Sequence, residues 1–398
     1  MSVSRKVAGQ LDQASWIRRM FEEGSRLKAQ RGADRVFDFT LGNPEVEPPA
    51  GVIETLRQVV AENRPRTHGY MPNAGFPEVR EVIAQRMAAR TGLPYTPEHI
   101  LMTVGSAGAM NVALKSILDP EDEVIVLVPF FPEYRFYIEN HAGKMVSVQT
   151  DENFQPDVDR IAAAITRRTK AIIVNSPNNP TGALYSAEVL RDLGALLDRN
   201  PRVLVLSDEP YRSLVFDGRT TPEVPPLIRR TLVADSWSKA LAVPGERIGC
   251  LAISPQIEDW AALRDAATFA NRVLGFVNAP ALWQWVIARA PETTVDVSLY
   301  QDKRDLLCDA LARMGYRVTK PAGAFYAFPR TPIADDVRFI RILLDQGILA
   351  VPGSGFGRAG YIRLSLTVPR EMIEASLPGF ERALAAARPS QGPALLPV

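Results

Sequence analysis

An α/β fold, a mostly parallel sheet sandwiched by helices with a smaller α/β domain attached, is what this sequence predicts. Three observations carry that expectation. Short apolar runs rich in Val, Ile and Leu recur without polar alternation, as strands buried on both faces do. Helix-period segments lie between them, and strand alternating with helix argues for parallel pairing. Beyond roughly residue 290 the pattern changes to a long amphipathic segment followed by brief strand-like runs.

In chain order, the amphipathic segment 14–32, "ASWIRRMFEEGSRLKAQRG", is assigned to the smaller domain. The core strands are "EVIVLVP" (123–129), "KAIIVNSP" (170–177), "RVLVLSDEP" (202–210), "TLVADSWSK" (231–239) and "IGCLAISP" (248–255). Among the helices, "SAEVLRDLGALLDR" (186–199) puts Val189, Leu190, Leu193, Leu196 and Leu197 on one face, with Ser186 as the expected cap. "VSLYQDKRDLLCDALARMGYRV" (297–318) is a long amphipathic helix, and "AGAFYAFPR" and "YIRLSLT" are strands of the smaller domain. The Pro-rich tail from about 388 is expected to be disordered. The domain expectation is a large domain at 48–285 and a small one formed by 1–47 and 286–398.

Composition narrows the function classes. The chain has 398 residues, and 46 basic against 45 acidic residues leave a net charge of +1. Such a balance gives no global field to attract nucleic acid or a membrane surface, so function must come from a local site. No apolar run is long enough to span a bilayer, the N-terminus lacks a signal-peptide core, and a cytoplasmic location is expected. Cys250 and Cys308 lack metal-ligand spacing and are expected to be buried thiols; no metal is expected.

In parallel sheets ligands bind at the carboxyl ends of the strands. There the runs end in polar residues: Asn175 and Asn179, Asp208 and Tyr211, Ser236 and Lys239. In "VNSPNNPTGALY" Pro177 and Pro180 hold the loop in extended and turn geometry, so that the asparagines arrive pre-positioned.

Each residue taken alone has two readings. Lys239 is a solvated lysine after a strand, or an amine in apolar surroundings available for a Schiff base. Asp208 follows four apolar residues and Ser207 and is a helix cap, or a nearly dry carboxylate that needs a cation. Tyr211 supplies a phenol nearby. "TVGSAGAMN" (103–111) is a tight turn, or a helix N-terminus whose Ser106 and Ala107 amides cradle a phosphate, with Arg247 and Ser236 adding contacts. Arg363, inside the apolar run "YIRLSL", is paired structurally, or presents its fork to a ligand carboxylate. A lysine for an aldehyde, an aspartate for a pyridinium, a phosphate cup and a carboxylate fork together specify pyridoxal phosphate acting on an amino acid.

The ordered set "GNP … GY … VGSAGA … PNNPTG … SDEPY … SWSK … GERIG … YIRLS" resembles the fold-type I, class I aminotransferases, and most of all their aspartate aminotransferase-like branch, over about residues 14 to 387. That resemblance implies that Lys239 forms the Schiff base and shuttles the substrate's α-proton. It implies that Asp208 keeps the pyridine nitrogen protonated, while Tyr211 and Asn179 bond the phenolic oxygen. Phe131 would stack on the ring, Ser106, Ala107, Ser236 and Arg247 would hold the phosphate, and Tyr70 would reach the phosphate of a partner subunit. Gly42, Asn179 and Arg363 would hold the substrate α-carboxylate.

One departure bears on specificity. Where some bacterial aspartate aminotransferases carry a lysine, this chain has the uncharged Ala107, and Arg272 in "ANRVLGF" lies near but does not align cleanly with the partner-subunit arginine used by others. The expected enzyme is a homodimer with shared sites that moves the amino group of an L-amino acid to a 2-oxo acid by a ping-pong mechanism. Aspartate with 2-oxoglutarate, or a broader amino-acid range, fits. A lyase on the same fold, which would keep the same cofactor residues, is the alternative; a binding or regulatory protein has no use for both Lys239 and Asp208.

Overall fold

The structure, a computed structural model of the single chain, describes residues 2–12, 23–24, 26–30, 32 and 35–387. The tail from 388 and much of the segment 14–32 therefore lie outside the described residues. The chain divides into two compact units, Pro44–Ser298 with Ala322–Ala324, and Met1–Asn43 with Leu299–Pro321 and Phe325–Val398. The sequence reading divides the chain at 47/48 and 285/286. The later second boundary reflects the helix Ala281–Arg289, whose Trp283, Val286 and Ile287 share a core with Val52, Val79 and Ile100.

The larger unit is built on seven strands: β1 (Ile100–Thr103), β2 (Glu123–Val128), β3 (Lys144–Gln149), β4 (Thr169–Asn175), β5 (Leu204–Asp208), β6 (Thr231–Ser236) and β7 (Gly249–Ile253). Their order is β1-β7-β6-β5-β4-β2-β3. Strand β7 runs antiparallel to both neighbours, and every other pair is parallel. The five apolar runs are β2, β4, β5, β6 and β7. The sequence reading does not include β1, an edge strand of four residues, or β3, whose lysine and serine faces are exposed at the other edge.

The unbroken apolar character of the central strands has a direct cause. In β4, Ala171 and Ile173 pack with the helix Gly105–Ile117, while Ile172 and Val174 pack on the opposite face with Leu190, Leu193 and Leu197. Each such side chain taken from water contributes about 1.5–3 kcal/mol, so neither face tolerates a polar residue except where the strand ends. The helix that covers the second face is Ala187–Asp198, and Ser186 caps it by accepting from Val189 N at 3.1 Å, as the sequence predicts.

In the smaller unit, Ile362–Ser365 pairs antiparallel with Val351–Pro352 on one side and Tyr326–Ala327 on the other. Phe37–Asp38 pairs parallel with Ile348–Leu349, and Leu27 packs on Val36 and Leu349. Cys250 and Cys308 are both buried and free. Among the described residues no helix is long and apolar enough to cross a membrane.

Candidate functional site

Strand register brings the polar chain ends of the larger unit into one row. Asn175 of β4 is paired with Asp208 of β5, and Asp208 with Ala234 of β6. Two residues further along β6, Ser236 pairs with Gly249 of β7, which in turn pairs with Thr103 at the end of β1. Lys239 follows Ser236 by one short turn and is half-buried.

Asp208 is 6% exposed, and no helix follows it, which removes the cap reading. The acids around it have arginine partners: Glu209 pairs with Arg212 at 3.4 Å and Asp235 with Arg90 at 3.8 Å. Asp208 has no cationic partner among the described residues. Tyr134 donates its hydroxyl to Oδ2 at 2.5 Å, whereas Oδ1 accepts no hydrogen bond. Burial pushes the Asp208 carboxyl up to about 7, although the Tyr134 and Ser106 hydroxyls favour its charged form. A buried carboxylate with one open oxygen and no cation is the environment a protonated pyridine nitrogen would complete.

The helix Gly105–Ile117 starts after Val104, which offers no side-chain cap, and its first turn holds no acid. Its leading amides and dipole thus remain available to an anion. Arg247 is anchored there through Nη1 to the Pro244 carbonyl at 2.9 Å and Nη2 to the Val104 carbonyl at 3.4 Å. Gly105 has φ +76°, and a β-carbon on it would stand 2.8 Å from Arg247 Nη2, so glycine here serves both the turn and the approach of the guanidinium. The Ser106 and Ala107 amides, Arg247 and Ser236 at the end of β6 are suited to one phosphate dianion.

The loop after β4 is tied down by its own asparagines. Asn178 Oδ1 accepts from the Thr181 amide at 3.1 Å and hydroxyl at 2.8 Å. Asn175 donates through Nδ2 to the Asp208 carbonyl at 2.9 Å and accepts the Asn179 amide at 2.8 Å. Asn175 and Asn178 are therefore scaffold, and they leave Asn179 carried beside Asp208. Tyr211 is buried at the turn after β5, and Phe131 meets the Tyr134 ring edge-on at 5.5 Å. Tyr70 is 90% exposed in the single chain.

Gly42 and Arg363 lie in the smaller unit, where a third residue joins them. The Arg363 guanidinium lies 4.5 Å over the Tyr326 ring and 4.9 Å from the Phe356 ring, and Nη2 donates to the Thr40 carbonyl at 2.6 Å. A β-carbon on Gly42 would stand 2.7 Å from Tyr326 Cζ, so only glycine leaves room for this tyrosine beside the arginine. Arg363 is 2% exposed and held by aromatic faces.

Sequence reasoning did not single out Tyr134 or Tyr326. Both stand in quoted runs, "VPFFPEY" and "AGAFYAFPR", where an aromatic with a polar tip among apolar residues was the available signal.

Comparison with known proteins places these residues in context. The family model described as "Aminotransferase class I and II" matches residues 34–377. The aspartate/prephenate aminotransferase of Thermus thermophilus is 37% identical over 368 residues, covering 89% of this chain and 92% of that protein. Among solved structures, an amino transferase from Eubacterium rectale superposes with TM-score 0.94 at 35% identity, covering 98% of this chain and 100% of the other. The aspartate aminotransferase of Thermus thermophilus with maleate gives TM-score 0.85 at 32% identity, covering 96% and 100%.

Proposed function

The chain belongs to the class I and II aminotransferases, enzymes that depend on pyridoxal phosphate, and on that premise we propose that it moves the amino group of L-amino acids, aspartate among them, to 2-oxoglutarate. The observation that carries the reading is Asp208, buried without a cation and with Oδ1 open. The aspartate donor is drawn from the Thermus relative, and the wider range from Ala107, which brings no charge to the helix N-terminus.

When bound, pyridoxal phosphate supplies an electron sink for the substrate's α-carbon. Asp208 Oδ1 would hold a proton at the ring nitrogen and keep that sink effective. Lys239 Nζ would carry the cofactor and move the proton off the α-carbon. The Ser106 and Ala107 amides, Ser236 and Arg247 would bind the phosphate. Asn179 and Tyr211 would donate to the phenolic oxygen, and Phe131 would cover the ring. Arg363, oriented by Tyr326 and with Gly42 and Asn179 beside the substrate, would bind the α-carboxylate bidentately.

We further assign the working form as a cytoplasmic homodimer in which Tyr70 serves the partner's phosphate; the free thiols and the 90% exposure of Tyr70 support this. An amino-acid panel with 2-oxoglutarate tests the function, with glutamate as the measured product. Glutamate formed from aspartate and from at least one donor without a second carboxylate is the expected result. Ammonia release with no glutamate from any donor would overturn it.

A further inference from the structure

We propose that Tyr134 is a positioning residue for the ring-nitrogen end of the cofactor: its hydroxyl holds Asp208 Oδ2 in place so that Oδ1 is left to accept the pyridinium N–H. The inference builds on the cofactor reading and adds a residue that does not itself touch the cofactor.

The geometry is specific. A carboxylate on a short side chain turns about its last torsion, which is broad and roughly two-fold. At Asp208 the backbone is fixed, because β5 is paired on both sides and its last carbonyl accepts from Asn175 Nδ2 at 2.9 Å. The side-chain torsion is held by the 2.5 Å bond from Tyr134 to Oδ2, while Oδ1 has no partner in hydrogen-bond geometry and the nearby Ser106 hydroxyl adds a weaker pull on the charged carboxylate. Tyr134 is 2% exposed on the helix Glu133–Asn140. Burial raises its phenol well above the usual range, so the hydroxyl remains a donor. The bond also opposes the cost of burying the Asp208 charge, the condition under which a carboxylate would otherwise keep its own proton and lose its use as an acceptor.

The test is reconstitution with ring-¹⁵N pyridoxal phosphate. Tyr134→Phe removes one oxygen and keeps the ring that meets Phe131, and circular dichroism checks its fold. The expected results are a pyridine ¹⁵N resonance displaced toward the neutral-ring position and cofactor affinity weaker by about tenfold. In an Asp208→Ala background, Tyr134→Phe should have no further effect on either readout, since the carboxylate it positions is gone. An unchanged ¹⁵N resonance in Tyr134→Phe, or an equal affinity loss in both backgrounds, would make Tyr134 merely structural and overturn the proposal. A wild-type chain that takes up no cofactor would overturn the cofactor reading itself, and the proposal with it.

Discussion

Gly249 lies backbone to backbone against Gly105: a β-carbon built on Gly249 would stand 2.6 Å from the Gly105 carbonyl carbon and 2.7 Å from its α-carbon. This contact seats the helix N-terminus on β7, two residues beyond Arg247, and so assembles the phosphate cradle. Because the obstructing atoms are backbone, they cannot swing aside as a side chain would. Gly249→Ala should cost about 1–3 kcal/mol in stability and weaken pyridoxal phosphate binding. Gly245→Ala, with nothing within 4 Å of the added carbon, is the control and should change neither. Urea unfolding and cofactor titration of the two variants check this; equal behaviour would refute the close-approach argument.

Asp208 should make the cofactor-free protein sensitive to pH. Its carboxyl titrates at about 7 when folded, against 3.8 for the ordinary group. Between those values the folded chain holds a proton that the unfolded chain has released, so stability is full below about pH 4 and falls as pH rises toward 7. Asp208→Asn removes that loss. The cofactor-free variant should match the parent near pH 4 and exceed it at pH 8 by roughly 4 kcal/mol, as an upper figure. With cofactor present the variant should instead bind more weakly and turn over more slowly by orders of magnitude. A stability difference that stays constant from pH 4 to pH 8 would count against the buried-charge account.

Arg363 is held by Tyr326 and by the Thr40 carbonyl in a way that suits a planar fork. Arg363→Lys keeps the charge but loses the bidentate geometry and the guanidinium's contact with the two aromatic rings. The variant's kcat/KM should fall far more for amino acids than for the corresponding amines, which have no carboxylate to lose. Equal losses for both would identify a structural arginine.

Tyr70 and Lys239 are expected to meet only across a dimer. Tyr70→Ala and Lys239→Ala, each severely impaired alone, should regain activity when unfolded and refolded together, because a mixed dimer has one site with both lesions and one with neither. Random pairing makes about a quarter of all sites native. If native mass spectrometry showed chain exchange and activity stayed at the sum of the parents, Tyr70 would act within its own chain or not at all.

The sequence by itself determined the fold class and the aminotransferase function, and it named the candidate residues at the strand ends. The central strands are apolar on both faces because helices cover both faces, so their ends stand out as abrupt polar residues: Asn175, Asp208, Ser236 and Lys239. What it could not give were relations between residues distant in the chain. Lys144–Gln149 was not legible as a strand because its edge position leaves it partly exposed and removes the apolar signal. Whether Asp208 caps a helix or lacks a cation depends on which arginines reach which acids, and the tertiary structure gives arginine partners to Glu209 and Asp235 but, among the described residues, none to Asp208. The bond from Tyr134 to Asp208 joins residues 74 apart, and the Gly42, Tyr326 and Arg363 cluster spans nearly the whole chain. Such contacts are set by strand order and packing, which bring together side chains that no local spacing connects.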